Sequence, residues 1–229
     1  MRKVPLSDNE IYHIYNRGVD KRRIFIDKKD YSRFIECMKE FNRLNPIGSI
    51  YENKFKHKLG GRTSKSNVTR SHVKSIVSGK EDKIAEIIAY CLNPNHYHFI
   101  VRQISESGIS KFMQRLGTGY TMYFNEKYSR SGALFQGKFK SSHINSNEKL
   151  LSMSAYVNLN YIVHGLGGST SKSSMKGFLS GGDILVDNSI ILKQFKNFKE
   201  YQNFALDEVR RIREERKKDE DLETLLIEK

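Results

Sequence analysis

The sequence predicts an α+β protein in which helices pack against an antiparallel sheet. Short stretches of alternating apolar and polar residues are typical of strands, and apolar residues at every third or fourth position are typical of helices. These stretches follow one another as strand, helix, strand, strand, helix, strand. That order is the ferredoxin-like, or RRM-like, β-α-β-β-α-β arrangement. A chain of 229 residues can bury such a core without disulfides.

The N-terminal segment predicts the first strand and the first helix. EIYHIYNRG alternates Ile11, His13 and Tyr15 with the residues between them and ends at Gly18. DKKDYSRFIECMKEFNRLNP has apolar residues at helical spacing and stops before Pro46. A strand followed by a helix therefore opens the fold.

Residues 47–80 lose this periodicity and are rich in Gly, Ser and Lys. Between Glu52 and Lys80 there are eight Lys or Arg residues and one acidic residue. We expect an inserted basic loop here, for which phosphate contact and simple solubility are equally good interpretations.

The next segment predicts a hairpin, a helix and a strand. DKIAEIIAYCLNPNHYHFIVRQ indicates two strands around the turn NPN, and the second arm contains His96 and His98. GISKFMQRLGTGYTMYFNEKYSRSG predicts an amphipathic helix that is interrupted near Gly117 and Gly119. ALFQGKFKSSHI alternates as a half-buried strand does, which completes the core.

An added helix is predicted over NSNEKLLSMSAYVNLNYIVHG. Asn145 followed by Glu148 resembles a capping box, and Gly165 marks the end of the helix. Tyr156 and Asn160 are four residues apart, so we expect them on the same helical face.

Composition points to nucleic acid as the leading partner. The net charge is +14 and the pI is about 9.6, and an excess of Lys and Arg attracts phosphate backbones. A basic protein with a merely soluble surface is the alternative. Cys37 and Cys91 show no paired spacing, and we find neither a signal-like apolar stretch nor a run of about 20 apolar residues. We therefore expect a cytoplasmic protein without membrane partners.

His96 and His98 carry the main chemical signal. Alternate residues of a strand point to one face, so these imidazoles are placed together, while Tyr97 points to the other face. Such a pair either binds a divalent cation or is solvated. An oxygen ligand such as Asn would favour Mg or Mn, whereas structural zinc is disfavoured because no set of four Cys or His residues has suitable spacing.

NPNHYHFIV, GALFQGKFKS and AYVNLNYIVHGL, in this order, resemble motifs of the REP-associated tyrosine transposases, which are HUH endonucleases of the IS200-like, single-tyrosine type. The opening YHIYNRGVDKRRIF is also similar to the first strand and turn of that family. The resemblance covers residues 9–205, apart from the insertion at 47–80, and does not extend beyond 206.

The resemblance implies a metal-dependent, single-stranded DNA endonuclease and strand transferase, a transposase. Such an enzyme cleaves hairpin or repeat DNA through a covalent 5′-phosphotyrosine intermediate, with Mg or Mn as cofactor. The resemblance also implies an antiparallel sheet with an added helix that carries the nucleophilic tyrosine.

The family's functional residues fall on four positions of this sequence. Its histidine pair, which binds the metal, corresponds to His96 and His98, and its nucleophile corresponds to Tyr156. Its polar metal ligand, one helical turn later, corresponds to Asn160, whereas Tyr161 stands where the family commonly has proline.

Two competing interpretations stay open. Tyr123 is the nearest rival nucleophile by sequence, although no ligand-type residue follows it at the matching position. A noncatalytic nucleic-acid-binding module with an RRM-like core is the other class of function, but it needs stacking aromatic residues where this sequence has His96 and His98.

The expected partner is single-stranded or hairpin DNA, and both a monomer and a homodimer are compatible with the sequence. Basic residues near the motifs are candidates for phosphate contact, with ordinary surface charge as an equal alternative. They are Arg17, Lys21, Arg22, Arg23, Lys138 and Lys140.

We divide the chain into three parts. Residues 1–165 form the predicted nuclease domain, with the basic insertion at 47–80. Residues 166–205 form a C-terminal extension that packs on or next to this domain, and 206–229 form a charged helical tail.

Overall fold

The computed structural model describes residues 5–48, 50, 83–167, 170–180 and 185–227. Within these ranges a sheet of five strands has the order β4-β1-β3-β2-β5, and all neighbouring strands are antiparallel. The strands are β1 (Ile11–Arg17), β2 (Ala85–Asn93), β3 (His96–Gln103), β4 (Lys140–Ile144) and β5 (Lys172–Ser173). The first four have the order expected of a ferredoxin-like core, so the predicted α+β class is confirmed.

Helices cover both faces of this sheet. The helices are α1 (Lys28–Phe41), α2 (Gly108–Lys127), α3 (Asn147–Asn158), α4 (Asn160–Val163), α5 (Met175–Ser180), α6 (Ser189–Leu192) and α7 (Phe198–Ile227). A short 3₁₀ turn, Val19–Lys21, follows β1. None of the helices in the described ranges has the length and apolar character needed to cross a membrane.

Side chains of strand β3 alternate between the two faces of the sheet. Tyr97 and Phe99 are buried in a cluster with residues of α1 and α2, including Phe34 and Phe112. His96 and His98 belong to the opposite face, where Ile100 packs into a second cluster with α3 and α7. The added helix α3 therefore packs against the histidine face of the sheet.

The hairpin is formed as predicted, and its tip is fastened to the chain after β1. Asn93 pairs with His96 across the turn. The carbonyl of Pro94 accepts hydrogen bonds from the backbone N–H groups of Ile24 and Phe25, and the carbonyl of Asn95 accepts one from Gly18. These bonds hold the β1 end against the histidine strand.

The predicted interruption of the second helix is wrong. Helix α2 is continuous through Gly117 and Gly119. A β-carbon at position 119 would lie 2.5 Å from the ring of Phe41 on α1. Gly119 therefore allows close approach of two helices, and this packing outweighs the low helix propensity of glycine.

The strand predicted over ALFQGKFKSSHI is also shorter than expected. Regular pairing begins only at Lys140, and the preceding segment makes one isolated bridge between Phe135 and Gly18. Gly137 has φ +66°, a conformation that interrupts an extended strand.

The N-cap of the added helix lies one residue later than predicted. Ser146, not Asn145, is the N-cap, because its side chain accepts a hydrogen bond from the backbone of Lys149. At the other end Gly165 adopts φ +63° after α4, as predicted for a helix terminator.

Asn42 joins the two ends of the chain segment that contains the predicted insertion. It follows α1, and its side-chain amide both donates to the carbonyl of Ala85, at 2.7 Å, and accepts from the N–H of Ala85, at 3.0 Å. Residues 51–82 lie outside the described residues, so the predicted loop at 47–80 stays a prediction for most of its length.

The proposed division at 205 and 206 falls inside α7, which runs through both sides of it. Tyr201, Ala205 and Val209 of α7 are buried against the cluster that contains Leu150 and Ala155 of α3. A single continuous helix therefore joins the packed extension to the predicted tail.

Candidate active site

The site is centred on the two histidines of β3. In the sheet register, His98 lies between Tyr15 of β1 and Cys91 of β2. His96 likewise lies between Arg17 and Asn93. Directly paired residues of neighbouring strands share a face, so each imidazole is part of a row of side chains across the sheet.

His96 is oriented by hydrogen bonds on both ring nitrogens. Its Nδ1 lies 2.6 Å from Oδ1 of Asn95, which can only accept, so Nδ1 carries the proton. Its Nε2 is then an acceptor, 2.8 Å from Nδ2 of Asn93. Burial lowers the pKa of His96 to about 4. The ring is therefore a neutral imidazole whose Nε2 lone pair accepts a hydrogen bond from Asn93.

Asn160 directs an oxygen at the same point. Its side chain is fully buried, and Oδ1 lies 3.1 Å from Nε2 of His96 and 2.7 Å from Nδ2 of Asn93. Asn93 is itself held by Ser171, whose hydroxyl lies 2.8 Å from Oδ1 of Asn93. Two acceptor atoms, one nitrogen and one oxygen, thus converge with an amide N–H₂ group between them.

The amide nitrogen of Asn160, Nδ2, is buried and is an unsatisfied hydrogen-bond donor among the described residues. Such an orphaned polar atom costs free energy and is a common feature of functional sites. This side-chain orientation directs the oxygen of Asn160 towards His96 and leaves its nitrogen without a hydrogen bond.

His98 is paired with a third histidine, His13 of β1. Nδ1 of His98 lies 2.8 Å from Nε2 of His13, and the rings are nearly parallel at 9°. Burial, followed by Lys149, lowers the pKa of His13 to about 4, and burial with neighbouring imidazoles holds that of His98 well below its usual value. Both rings are therefore neutral. When His98 donates from Nδ1, its Nε2 is left as a lone pair for a ligand.

Tyr156 of α3 stands perpendicular to this pair. Its ring centroid is 5.5 Å from that of His98 and 6.0 Å from that of His13, at interplanar angles of 86° and 88°. Its hydroxyl accepts a hydrogen bond of 3.3 Å from Nη2 of Arg216 on α7. The residue is half-buried, and its ring lies beside the histidine cluster.

The spacing of Tyr156 and Asn160 predicts that both lie on one uninterrupted helix. The structure instead places them on two consecutive helices. Leu159, with φ −111° and ψ 19°, separates α3 from α4. Tyr156 is on the last turn of α3, while Asn160 is the first residue of α4 and is directed into the core. Both side chains nevertheless reach the same histidine pair from one short segment.

The rival tyrosines lie on the other side of the sheet. The hydroxyl of Tyr123 donates to Oδ1 of Asp30 at 3.2 Å, and that of Tyr128 to Oδ2 of Asp30 at 2.8 Å. Tyr120 donates to the carbonyl of Ile24. These hydroxyls bind Asp30 and the backbone of Ile24. Tyr123 therefore lies away from the histidines, on the opposite face of the sheet.

The donor set fits a divalent cation. His96, His98 and Asn160 offer two imidazole nitrogens and one amide oxygen, a set suited to Mg or Mn. No group of three or more His, Cys, Asp or Glu side chains in the described ranges forms a metal site. A cation bound here would take the oxygen of Asn160 as a third ligand beside the two imidazoles. The buried, neutral rings and the orphaned amide of Asn160 agree with this fit.

The predicted phosphate contacts are all exposed and divide into two groups. Arg17 and Lys140 share the histidine face, because Arg17 pairs with His96 and Lys140 pairs with Tyr15 next to His98. The other four lie in the turn after β1 or before β4; they are Lys21, Arg22, Arg23 and Lys138. All six remain candidates, with Arg17 and Lys140 closest in register to the site.

Sequence reasoning missed three contributors to the site. His13 could have been found from its alternation with Tyr15, because the order of a ferredoxin-like sheet places β1 beside β3. Asn93 could have been found as the residue opposite His96 in the hairpin. Arg216 had no such signal, since it lies in a segment rich in both charges.

Comparisons with known proteins agree with this geometry. A family model described as "Transposase IS200 like" matches residues 61–160, a span that contains both histidines of the pair, Tyr156 and Asn160. The resemblance to IS200-like transposases is confirmed over residues 81–160. The match also includes residues 61–80, which belong to the insertion predicted to lie outside the resemblance. No curated protein matches the chain.

A solved structure is similar to this chain in fold. It is described as "Structure of the REP associates tyrosine transposase bound to a REP hairpin", is 12% identical, and has a TM-score of 0.50. The match covers 82% of this chain and 88% of that chain. At this identity it bears on the fold, which is the one predicted for the REP-associated tyrosine transposases.

Proposed function

We propose that the protein is a metal-dependent endonuclease and strand transferase that acts on single-stranded DNA at hairpin or repeat sequences. The observation that carries this proposal is the convergence of Tyr156 with His96, His98 and Asn160 within one chain. The transposase family match supports the reaction class. A noncatalytic module has no need for buried, neutral imidazoles beside a tyrosine hydroxyl.

The reaction is a transesterification at phosphorus. Oη of Tyr156 attacks the scissile phosphate, the new P–O bond joins the tyrosine to the 5′ side, and the bond from phosphorus to the 3′ oxygen breaks. The phenol loses its proton to solvent and the departing 3′ oxygen takes one up, so the products are a 5′-phosphotyrosine and a free 3′-hydroxyl. Because the number of phosphodiester bonds is unchanged, another 3′-hydroxyl can reverse the step, which gives strand transfer.

A phenol with a pKa of about 10 is a weak nucleophile at neutral pH, so the phosphate must be activated. A divalent cation held by His96, His98 and Asn160 would withdraw electron density from the phosphoryl oxygens. The protein's own contribution is positional. The imidazoles of His13 and His98 stand perpendicular to the ring of Tyr156 and hold it in place.

Single-stranded DNA is the substrate that suits the surface next to the site. Arg17 and Lys140 are exposed on the histidine face, and Tyr15 lies between Lys140 and His98 in the register. Cations with an interleaved aromatic ring are typical of single-strand binding. The structural relative is bound to a hairpin, which supports hairpin DNA as the context.

The test is a covalent adduct that survives denaturation. The protein is incubated with labelled single-stranded oligonucleotides that carry hairpins, in Mg or Mn, and resolved on a denaturing gel. Tyr156→Phe keeps the ring but removes the attacking oxygen, so we expect complete loss of the adduct with DNA affinity changed by less than about two-fold. Peptide mass spectrometry of the wild-type adduct should place the nucleotide on Tyr156.

Tyr123→Phe is the matched control, because it removes the same atom from the opposite side of the sheet. It should keep the adduct. Adduct formation by Tyr156→Phe would show that the nucleophile is misassigned. Tight binding without an adduct across a panel of hairpins would support the noncatalytic module instead.

A further inference from the structure

Helix α7 directs a cation at the hydroxyl of Tyr156. Nη2 of Arg216 lies 3.3 Å from Oη of Tyr156, and the guanidinium carbon lies 5.6 Å from the ring centroid. The contact joins residues 60 positions apart in sequence. Arg216 lies beyond the segment that resembles the transposase family, so the resemblance assigns it no role.

The position of Arg216 follows from the pattern of the helix. Tyr201, Ala205 and Val209 are buried at intervals of four residues. Ile212 is half-buried, and Arg216 comes four residues after it. Side chains at these intervals share one helical face, so Arg216 continues the face that packs on α3.

The register of α7 is fixed by buried hydrogen bonds. The hydroxyl of Tyr201 accepts from Nδ2 of Asn158 at 2.8 Å and donates to the hydroxyl of Ser154 at 3.2 Å. Further along, the hydroxyl of Ser152 donates to Glu208. Tyr156 lies between Ser154 and Asn158, so the same bonds that hold α7 also set the height of Arg216 relative to the phenol.

The guanidinium of Arg216 contacts the ring and hydroxyl of Tyr156. Arg210 pairs with Asp207, and Arg211 pairs with Glu208 and Glu215. Among the described side chains, Arg216 has no ion-pair partner and contacts Tyr156. After burial, Arg216 is a further cause of the lowered pKa of His164, which places its charge near the imidazole cluster.

We propose that Arg216 is a catalytic residue that binds the scissile phosphate beside Tyr156, so that α7 completes the active site. The inference rests on the proposed function, because it assigns the ligand of the same reaction. In-line attack brings phosphorus to about 3–3.5 Å from the attacking oxygen, which places the phosphoryl oxygens beside the guanidinium. Guanidinium groups bind phosphate through two parallel N–H donors, and they stabilise the charge that develops during transfer.

The first experiment compares Arg216→Ala with Arg213→Ala, which removes an equal charge from an exposed position one turn earlier on α7. The rate of adduct formation at saturating oligonucleotide should fall about 100-fold for Arg216→Ala. It should change by less than about three-fold for Arg213→Ala, because charges away from the site act weakly. Thermal unfolding of both variants should match wild type, which shows that the helix is still docked.

The second experiment removes the charge from the substrate instead of the protein. An oligonucleotide with a neutral methylphosphonate at the scissile position should react with wild type and Arg216→Ala at rates within about three-fold of each other, since the charge that Arg216 binds is gone. Guanidinium ion added in solution should restore part of the rate of Arg216→Ala on ordinary DNA, and Arg216→Lys should retain an intermediate rate.

The outcomes separate this inference from the proposed function. If wild type forms the Tyr156 adduct and Arg216→Ala forms it equally fast, the role of Arg216 is refuted and the nuclease stands. An equal 100-fold defect on phosphodiester and methylphosphonate would also refute phosphate binding. If wild type forms no adduct, the proposed function fails and the inference fails with it.

Discussion

The two faces of the sheet treat polar groups in opposite ways. On the α1 and α2 face the buried carboxylate of Asp30 receives hydrogen bonds from Tyr123, Tyr128, Lys127 and the backbone of Ile26. Every lone pair there is used. On the α3 and α7 face the buried polar groups around His96 are imidazoles and amides, and Nδ2 of Asn160 has no hydrogen-bond partner among the described residues.

This difference separates stability from chemistry within one strand. Tyr97 and Phe99 of β3 pack among aromatic rings, with Phe34 centred 5.5 Å from Tyr97 and 6.3 Å from Phe99. His96 and His98, which alternate with them, lie among groups that retain the capacity to bind a ligand. A filled core can support such a site because most of the stabilising area is on the other face.

The comparison is tested most strongly by substituting adjacent residues of β3. His98→Ala should slow adduct formation about 1,000-fold, because the proposed cation would lose a ligand and with it several kcal/mol of charge stabilisation. It should lower the free energy of unfolding by only about 1–3 kcal/mol through the unpaired His13. Phe99→Ala should instead lower the free energy of unfolding by about 3–5 kcal/mol.

Urea denaturation and single-turnover adduct formation on both variants provide the measurement. The folded fraction of Phe99→Ala should keep a rate close to that of wild type. A loss of the same size in both assays for both variants would show that the two faces are not separable in function.

The second prediction concerns Asp30. Burial disfavours its charge, but hydrogen bonds from Lys127, Ile26 and Tyr128 outweigh burial and lower the pKa. Asp30→Asn removes the charge and leaves Lys127 inside a partly buried cluster, so the free energy of unfolding at pH 7 should fall by about 3 kcal/mol. Adduct formation by the folded protein should persist.

The stabilisation from Asp30 has a defined sign with pH. Its lowered pKa means that the unfolded chain binds the proton first as pH falls, so the contribution is complete above about pH 5 and is lost as pH drops through the native pKa. Wild type and Asp30→Asn should therefore converge in urea titrations as pH falls below about 4. A difference that is constant from pH 7 to pH 3 would contradict this.

The third prediction concerns the histidine face at a higher pH. Burial holds the pKa of His13 and His96 at about 4, against an unfolded value of 6.5. Between these values the unfolded chain binds more protons than the native one, so the free energy of unfolding falls as pH decreases from 6.5 to 4.

Each such histidine contributes a slope of about 1.4 kcal/mol per pH unit at most. His96→Asn should reduce the slope by up to that amount, and the measurement is urea denaturation in chelator at pH 7, 6 and 5. A variant with the slope of wild type would show that His96 is not kept neutral by the fold.

Local patterns predicted those parts of the molecule that depend on neighbouring residues. Alternation along β3 placed His96 and His98 together, and the order of elements gave the sheet. Two errors have different causes. Gly119 lies within a continuous helix because Phe41 occupies the space beside it, so long-range packing overrides local preference. Gly137 breaks the segment before β4 because its backbone has a positive φ.

The site itself was predictable only in part. The family motif identified Tyr156 and Asn160, but no local rule reveals that Leu159 breaks the helix between them. His13 contacts His98 across 85 positions, and Arg216 contacts Tyr156 across 60. Contacts of that range depend on strand register and helix docking, which a single sequence does not encode in any short window.

The hydrogen bonds between Asn42 and Ala85 affect how the length of the chain between these two residues can vary. The side chain of Asn42 ties the end of α1 to the first residue of β2, so the fold is closed at the base of whatever chain runs between them. Loop-closure entropy grows only logarithmically, and doubling the intervening length costs about 0.6 kcal/mol. The segment is therefore a natural graft point, where deletions, peptide tags or a circularly permuted terminus should be tolerated while β1 and β3 still pair.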